Sequence, residues 1–164
     1  MTHDIALLNA RDDVPREGSR GSRAWARFAL YGIVGWAIEV VATGAWAALR
    51  DRDRAATART YLWMHPVYGA GGLLLEQIER LTSSWPRPAR AAAFLPAIYA
   101  VEAIAGGLLR RILGRCPWDY RGRGWHVAGL IRLDYAPVWW LVGYLFPSTR
   151  ARVAQAAARA RPAR

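Results

Sequence analysis

Four apolar stretches alternate with arginine-rich connections along the chain. Residues 28–49 form the clearest of them, with Glu39 as the one formal charge, and at about 1.5 Å rise per residue they are long enough to cross a hydrocarbon layer of about 30 Å. Arg50-Asp51-Arg52-Asp53-Arg54 closes the stretch with charges that lipid does not hold. Residues 61–78 form the second stretch. They carry His65, Pro66 and the glycines Gly69, Gly71 and Gly72, so the first turns are predicted to be kinked or partly unwound. Residues 91–109, with Pro96 near the start and Glu102 inside, make the third stretch, closed by Arg110 and Arg111. The fourth is placed at residues 127–146 although it contains Arg132, Asp134 and Pro137, because a start at Tyr135 leaves too little chain to cross.

The pattern predicts an all-α, multi-pass transmembrane helical bundle of four spans, with one Pro/Gly-interrupted helix. Residues 1–23 read as a disordered polar tail, 24–147 as the transmembrane domain, and 148–164 as a basic Ala/Arg tail suited to lie on the membrane surface.

Mean hydropathy is only +0.01, an average that hides a sharp segregation. All cations are arginine, and only Arg132 lies inside an apolar stretch. A net charge of +11 and a pI near 11.1 usually direct attention to nucleic acid, where basic faces release counterions from phosphate. No separate polar domain carries such a face, so nucleic acid is set aside and the lipid bilayer is the expected partner. With four spans, the N-terminal tail, second connection and C-terminal tail share one side with five, three and five arginines, against four and five in the other connections. That bias places both tails in the cytoplasm, in a bacterial inner membrane. Residues 5–8 are too short an apolar run for a cleavable signal, so insertion is expected to begin with the first span. Cys116 is the single cysteine and excludes an intrachain disulfide.

An ionisable group in the middle of a span costs about 2.5–3.5 kcal/mol on insertion scales and requires a partner or a purpose. Gly32, Gly35, Glu39 and Thr43 fall on one helical stripe, His65, Gly69, Gly72 and Glu76 on another, and Tyr99, Glu102 and Gly106 on a third. Glycine beside each glutamate directs the carboxylates to close helix contacts, away from lipid. Glu39 and Glu102 are candidates to bind a proton, a cation or an amine headgroup, with Arg132 as counter-charge. The structural alternative is that Arg132 neutralises one glutamate and the other is protonated. Glu76 reads as interfacial, since Gln77, Glu79 and Arg80 follow it.

Cys116-Pro117-Trp118-Asp119-Tyr120 leads through Arg121-Gly122-Arg123-Gly124 into Trp125-His126, a connection dense enough in polar, aromatic and turn residues to fold back into the bundle. Asp119 either contributes to a site or caps a helix or pairs with Arg123. His65 and His126 lack the spacing of a metal-ligand set, so no metal and no cofactor are expected. Trp118, Tyr120, Tyr68, His65, Asp119 and Asp134 complete the candidate substrate-contacting set begun by Glu39, Glu102, Arg132 and Glu76.

Several of these residues resemble the ABC-transporter type IV, or CmpB-like, family, which includes the animal transmembrane protein 229. The matching elements are Gly35-Trp36 with Glu39, Pro66-Val67-Tyr68-Gly69, Glu102 with Gly106, the Cys116–Tyr120 element, and the run from Gly129 through Arg132, Asp134 and Tyr135-Ala136-Pro137 to Trp139. They cover about residues 28–146. Animal members tend to have Thr-Leu-Glu where this chain has Arg132-Leu133-Asp134, so the arginine departs from the pattern. The resemblance implies a small multi-pass helical protein linked to transport. No Gly-x-x-x-x-Gly-Lys-Ser/Thr loop is present, nor any lysine, so an energy source would be a partner or an ion gradient.

The leading expectation is therefore a permease-like or channel-like component that binds a cation, proton or small amine-bearing solute at interior carboxylates, as a homo-oligomer or with a partner subunit. Two readings stay open beside it: a membrane-embedded enzyme acting on lipid, and a non-catalytic assembly or sensory subunit.

Overall fold

A computed structural model describes residues 17–160, so most of the expected N-terminal tail lies outside the described residues. Helix α1 (Glu17–Arg50) begins inside that stretch. It stops at the charged 50–54 run, where Arg52 turns left-handed with φ 54° and the amides of Asp51 and Asp53 both reach Ala47 O. Helix α2 (Met64–Leu81) is uninterrupted, which corrects the expected Pro/Gly break. Pro66 falls in the first turn, where a missing N–H costs no hydrogen bond, and the glycines face a neighbouring helix. Helix α3 (Arg87–Leu113) opens on a proline and ends at Gly114, whose φ of 73° gives a left-handed C-terminal cap.

The fourth apolar stretch is divided differently from expectation. A two-stranded antiparallel hairpin, β1 (His126–Val127) and β2 (Ile131–Arg132), and a 3-10 turn (Leu133–Tyr135) precede helix α4 (Ala136–Arg159). Ala128 and Gly129 take φ of 52° and 71° in the hairpin loop, and Pro137 sets the first turn of α4. The helix then runs on through most of the basic stretch read as a tail, burying Val153 and Ala157.

The four helices run up and down, α1 packing on α2, α2 on α3, α3 on α4 and α4 back on α1. Between α1 and α2 the fit is reciprocal. His65 and Tyr68 of α2 seat against Gly32 and Gly35 of α1, while Phe28 and Tyr31 of α1 seat against Gly69 and Gly72 of α2. A Cβ at Gly32 would lie 2.5 Å from the His65 imidazole, and one at Gly69 would lie 2.8 Å from Phe28 O. The absence of a side chain is thus what lets these backbones approach. Gly143 does the same for Phe94 between α3 and α4.

Tyr31, Leu75, Phe94, Phe146 and Val153 form the buried core. Tyr31 stacks on Phe146 at 5.8 Å, and Phe94 meets Phe146 edge-on at 5.5 Å. Outward, Ile33, Val41, Leu49, Ile104, Leu108, Leu141 and Leu145 are exposed. Among the described residues, two helical stretches, Gly21–Arg50 and Arg87–Leu113, are long and apolar enough to cross a membrane.

Candidate functional site

The antiparallel arrangement sorts the helical carboxylates into two groups at opposite ends, one buried and one half-buried. At the end where α1 and α3 begin, Glu76 is 2% exposed and accepts a hydrogen bond from Tyr31 Oη at 2.8 Å. Arg27 Nε lies 3.1 Å and Arg80 Nη2 3.4 Å from its two oxygens. Glu79, one turn on and 6% exposed, meets Arg150 of α4 at 3.1 Å and Arg90 of α3 at 3.8 Å. Arg27 Nε and Glu79 Oε2 lack well-aligned hydrogen bonds, so proximity of charge carries these contacts. Two buried anions and four arginines from all four helices close this end. Glu76 is therefore a buried, ion-paired residue.

At the other end the carboxylates lack such company. Glu39 Oε2 accepts a hydrogen bond of 2.6 Å from Thr60 Oγ1, and its other polar neighbour is the Tyr68 phenol. The 51–63 connection reaches this position because it folds back along α1: Arg59 N donates to Thr43 Oγ1 at 3.0 Å, and Trp36 Nε1 donates to Tyr61 O at 2.9 Å. Glu102 on α3 has a buried Oε2 without a hydrogen-bond partner. Tyr68 and Tyr120 lie within electrostatic reach of both Glu39 and Glu102 and of each other. Glu39, Tyr68, Glu102 and Tyr120 thus come together from α1, α2, α3 and the segment after α3. Among the described residues, no arginine forms an ion pair with either glutamate.

The 114–135 segment caps this end. Leu130, Trp118 and Cys116 cover Gly106 of α3, Trp118 Nε1 donates to Leu130 O at 3.2 Å, and Arg110 Nη2 donates to Ala128 O at 2.9 Å. Burial, and after it the negative field of Glu102, pushes the Tyr120 phenol above its ordinary pKa, so it stays neutral. Burial likewise raises the Cys116 thiol, which sits under the cap as a neutral packing group.

Arg132 does not serve as counter-charge to a glutamate. Its guanidinium pairs with Asp134 at 2.9 Å, donates to Tyr135 Oη at 3.0 Å and lies 4.3 Å from the Tyr135 ring centroid. Two residues apart on one turn, Arg132 and Asp134 satisfy each other before either can reach the interior. Asp119 pairs with Arg121 and not with Arg123, and that guanidinium holds its carboxyl at about 2. His65 Nε2 lies 3.2 Å from Ala29 O, with its ring between Trp36 and Phe28 in the α1–α2 contact. His126 Nδ1 accepts from Gly129 N at 3.3 Å within the hairpin.

Of the residues singled out in the sequence, Glu39, Tyr68, Glu102 and Tyr120 are thus brought together, with Arg132 and Asp134 at the rim. His65, Asp119 and Glu76 stand apart. Sequence reasoning missed Arg27, Tyr31, Glu79, Arg90 and Arg150. Glu79 lies three residues after Glu76 and so shares its helix face, a signal the neighbouring charges obscured.

A family model described as "Putative ABC-transporter type IV" matches residues 26–163, which take in the hairpin and all of the bundle but the first turns of α1. No solved structure matches the chain.

Proposed function

The chain belongs to the ABC-transporter type IV family, a group linked to membrane transport, and on that premise we propose that it is a permease-like or channel-like component binding a cation, a proton or a small amine-bearing solute between Glu39 and Glu102. One observation carries the reading. Glu76 and Glu79 each meet two arginines, whereas Glu39 and Glu102 pair with no cation among the described residues. Glu39 and Glu102 are half-buried, with Glu102 Oε2 itself buried and unpartnered. A carboxylate held partly out of water without a counter-charge is costly, and a site that must accept positive charge is where that cost serves a purpose.

In this reading all four helices cross the bilayer. The packing of α2 along α1 and of α4 along α3 supports it, since α1 and α3 carry the two stretches long and apolar enough to cross. The exposed aliphatic outer faces face lipid, residues 24–147 make up the transmembrane domain, and both tails are cytoplasmic. Four helices enclose a path only narrowly, so a second copy or a partner subunit completes it and supplies coupling to an energy source. Maleimide labelling of Arg54→Cys and Arg121→Cys on intact cells, in a Cys116→Ser background, tests the orientation. Labelling of cysteines in both tails from outside contradicts it.

The function is tested by cation uptake into proteoliposomes carrying the parent, Glu39→Gln and Glu102→Gln. The amides preserve size and hydrogen bonding, so the variants are expected to insert like the parent and lose uptake. Undiminished uptake in both would leave a non-catalytic assembly role as the better account.

A further inference from the structure

The transport reading leaves the class of cation open, and the surroundings of the two carboxylates narrow it. Glu39 on α1 and Glu102 on α3 stand on diagonally opposed helices of the ring. What lies around them is phenolic. Tyr68 from α2 hydrogen-bonds to Glu39, and Tyr120 from the capping segment lies within electrostatic range of both carboxylates. Tyr99, one turn before Glu102, is within range of that one, whose Oε2 is buried and unpartnered. Tyr120 in turn meets Tyr135 edge-on at 6.1 Å.

Hard metal ions call for about six oxygen ligands or more, drawn from converging carboxylates, carbonyls and waters. Among the described residues, no three His, Cys, Asp or Glu side chains come together in a way that could hold a metal ion. Aromatic faces instead attract bulky, weakly hydrated organic cations through the negative face of the ring. The same chemistry is already at work at the rim, where the Arg132 guanidinium lies over Tyr135 and Asp134 balances its charge.

We infer that the site takes an organic ammonium cation, its charge held between Glu39 and Glu102 and its alkyl groups set against the rings of Tyr68 and Tyr120. The inference rests on the transport reading of the same two carboxylates. It assigns Tyr68 and Tyr120 the selection of organic over inorganic cations.

The test is thermal melting of the purified full chain in detergent with tetramethylammonium chloride, set against sodium chloride and calcium chloride at equal ionic strength. The parent is expected to gain melting temperature with tetramethylammonium at concentrations where sodium has no effect, and Glu39→Gln and Glu102→Gln should lose that gain. Tyr120→Phe, which keeps the ring, should retain more of the gain than Tyr120→Leu. Tyr120→Leu and Tyr68→Leu should each weaken apparent affinity roughly tenfold. The two leucine variants disturb different elements, a connection and a helix, and the selectivity of the parent decides the matter even if both fail to fold. A glutamate-dependent response to sodium or calcium with none to tetramethylammonium overturns the inference and leaves the transport reading standing. A glutamate-dependent response to tetramethylammonium that both leucine variants retain in full overturns the role of the rings. No glutamate-dependent response to any cation overturns both readings.

Discussion

At the end of the bundle where α1 and α3 begin, Glu76 and Glu79 lie against the aromatic core and each meets two arginines. At the end where α2 and α4 begin, Glu39 and Glu102 meet a threonine hydroxyl and phenols. Residue type is alike, but both burial and compensation differ: Glu76 and Glu79 are buried and paired, Glu39 and Glu102 half-buried and without a cation among the described residues. A buried anion whose charge is neutralised by chain neighbours fixes how helices meet, and a half-buried one left without a cation holds a potential that a mobile cation can fill. The arginine end joins all four helices and the tyrosine end is roofed by a hairpin; in the proposed reading the first holds the bundle together and the second exchanges a cation.

The comparison breaks most visibly at Glu76. Glu76→Leu removes the partner of Arg27 and the acceptor of Tyr31, and is expected to cost about 3–5 kcal/mol, most of it from Arg27 because Arg80 is 55% exposed. Melting in detergent measures this. Glu39→Gln and Glu102→Gln, by contrast, should melt within a degree or two of the parent.

Glycine substitutions test whether close helix approach sets up both ends. Gly35→Ala drives a methyl into the Tyr68 ring and should cost about 1–3 kcal/mol. Gly107→Ala meets nothing within 4 Å and should be neutral or slightly stabilising by the same measurement.

A smaller effect is expected at Arg132. Arg132→Met loses its pair with the exposed Asp134, should leave the melting temperature nearly unchanged, and should leave cation uptake dependent on Glu39 and Glu102. Loss of uptake with the fold intact would make Arg132 part of the site.

Asp119 offers the smallest effect and a defined pH signature. Its carboxyl is held at about 2, below the ordinary value near 3.9, so the contribution of the Asp119–Arg121 pair is present above about pH 4 and lost as pH falls toward about 2. Asp119→Asn should raise tryptic cleavage at Arg121 and Arg123 about twofold at pH 8.

Periodicity accounts for what is legible in the sequence. The stripes through Gly35 and Glu39, and through Tyr68's neighbours Gly69 and Gly72, repeat at the helical period, and glycine marks where a second backbone comes close, so the α1–α2 contact is readable from residue spacing alone. The partner of a charge is not, because pairing depends on which helices meet. Nothing local joins Glu79 to Arg150, and Arg132 points toward a glutamate only as long as Asp134 is taken as part of the same span. Composition obscures the hairpin: Val127, Leu130, Ile131 and Leu133 are apolar enough to extend a span. Ala128-Gly129 between two short pairing segments, and Pro137 at a helix start, are the local signals of a turn followed by a new helix.

The division of labour between the two ends is tested most directly by one set of proteins, the parent and the single variants Glu39→Gln, Glu102→Gln, Glu76→Gln and Glu79→Gln. Each is melted with and without tetramethylammonium. The account predicts that Glu39→Gln and Glu102→Gln keep the ligand-free melting temperature and lose the ligand-dependent gain, whereas Glu76→Gln and Glu79→Gln lower the former and, where folded, keep the latter. Four variants that shift together in both quantities, or a full gain retained in Glu39→Gln and Glu102→Gln, would contradict it.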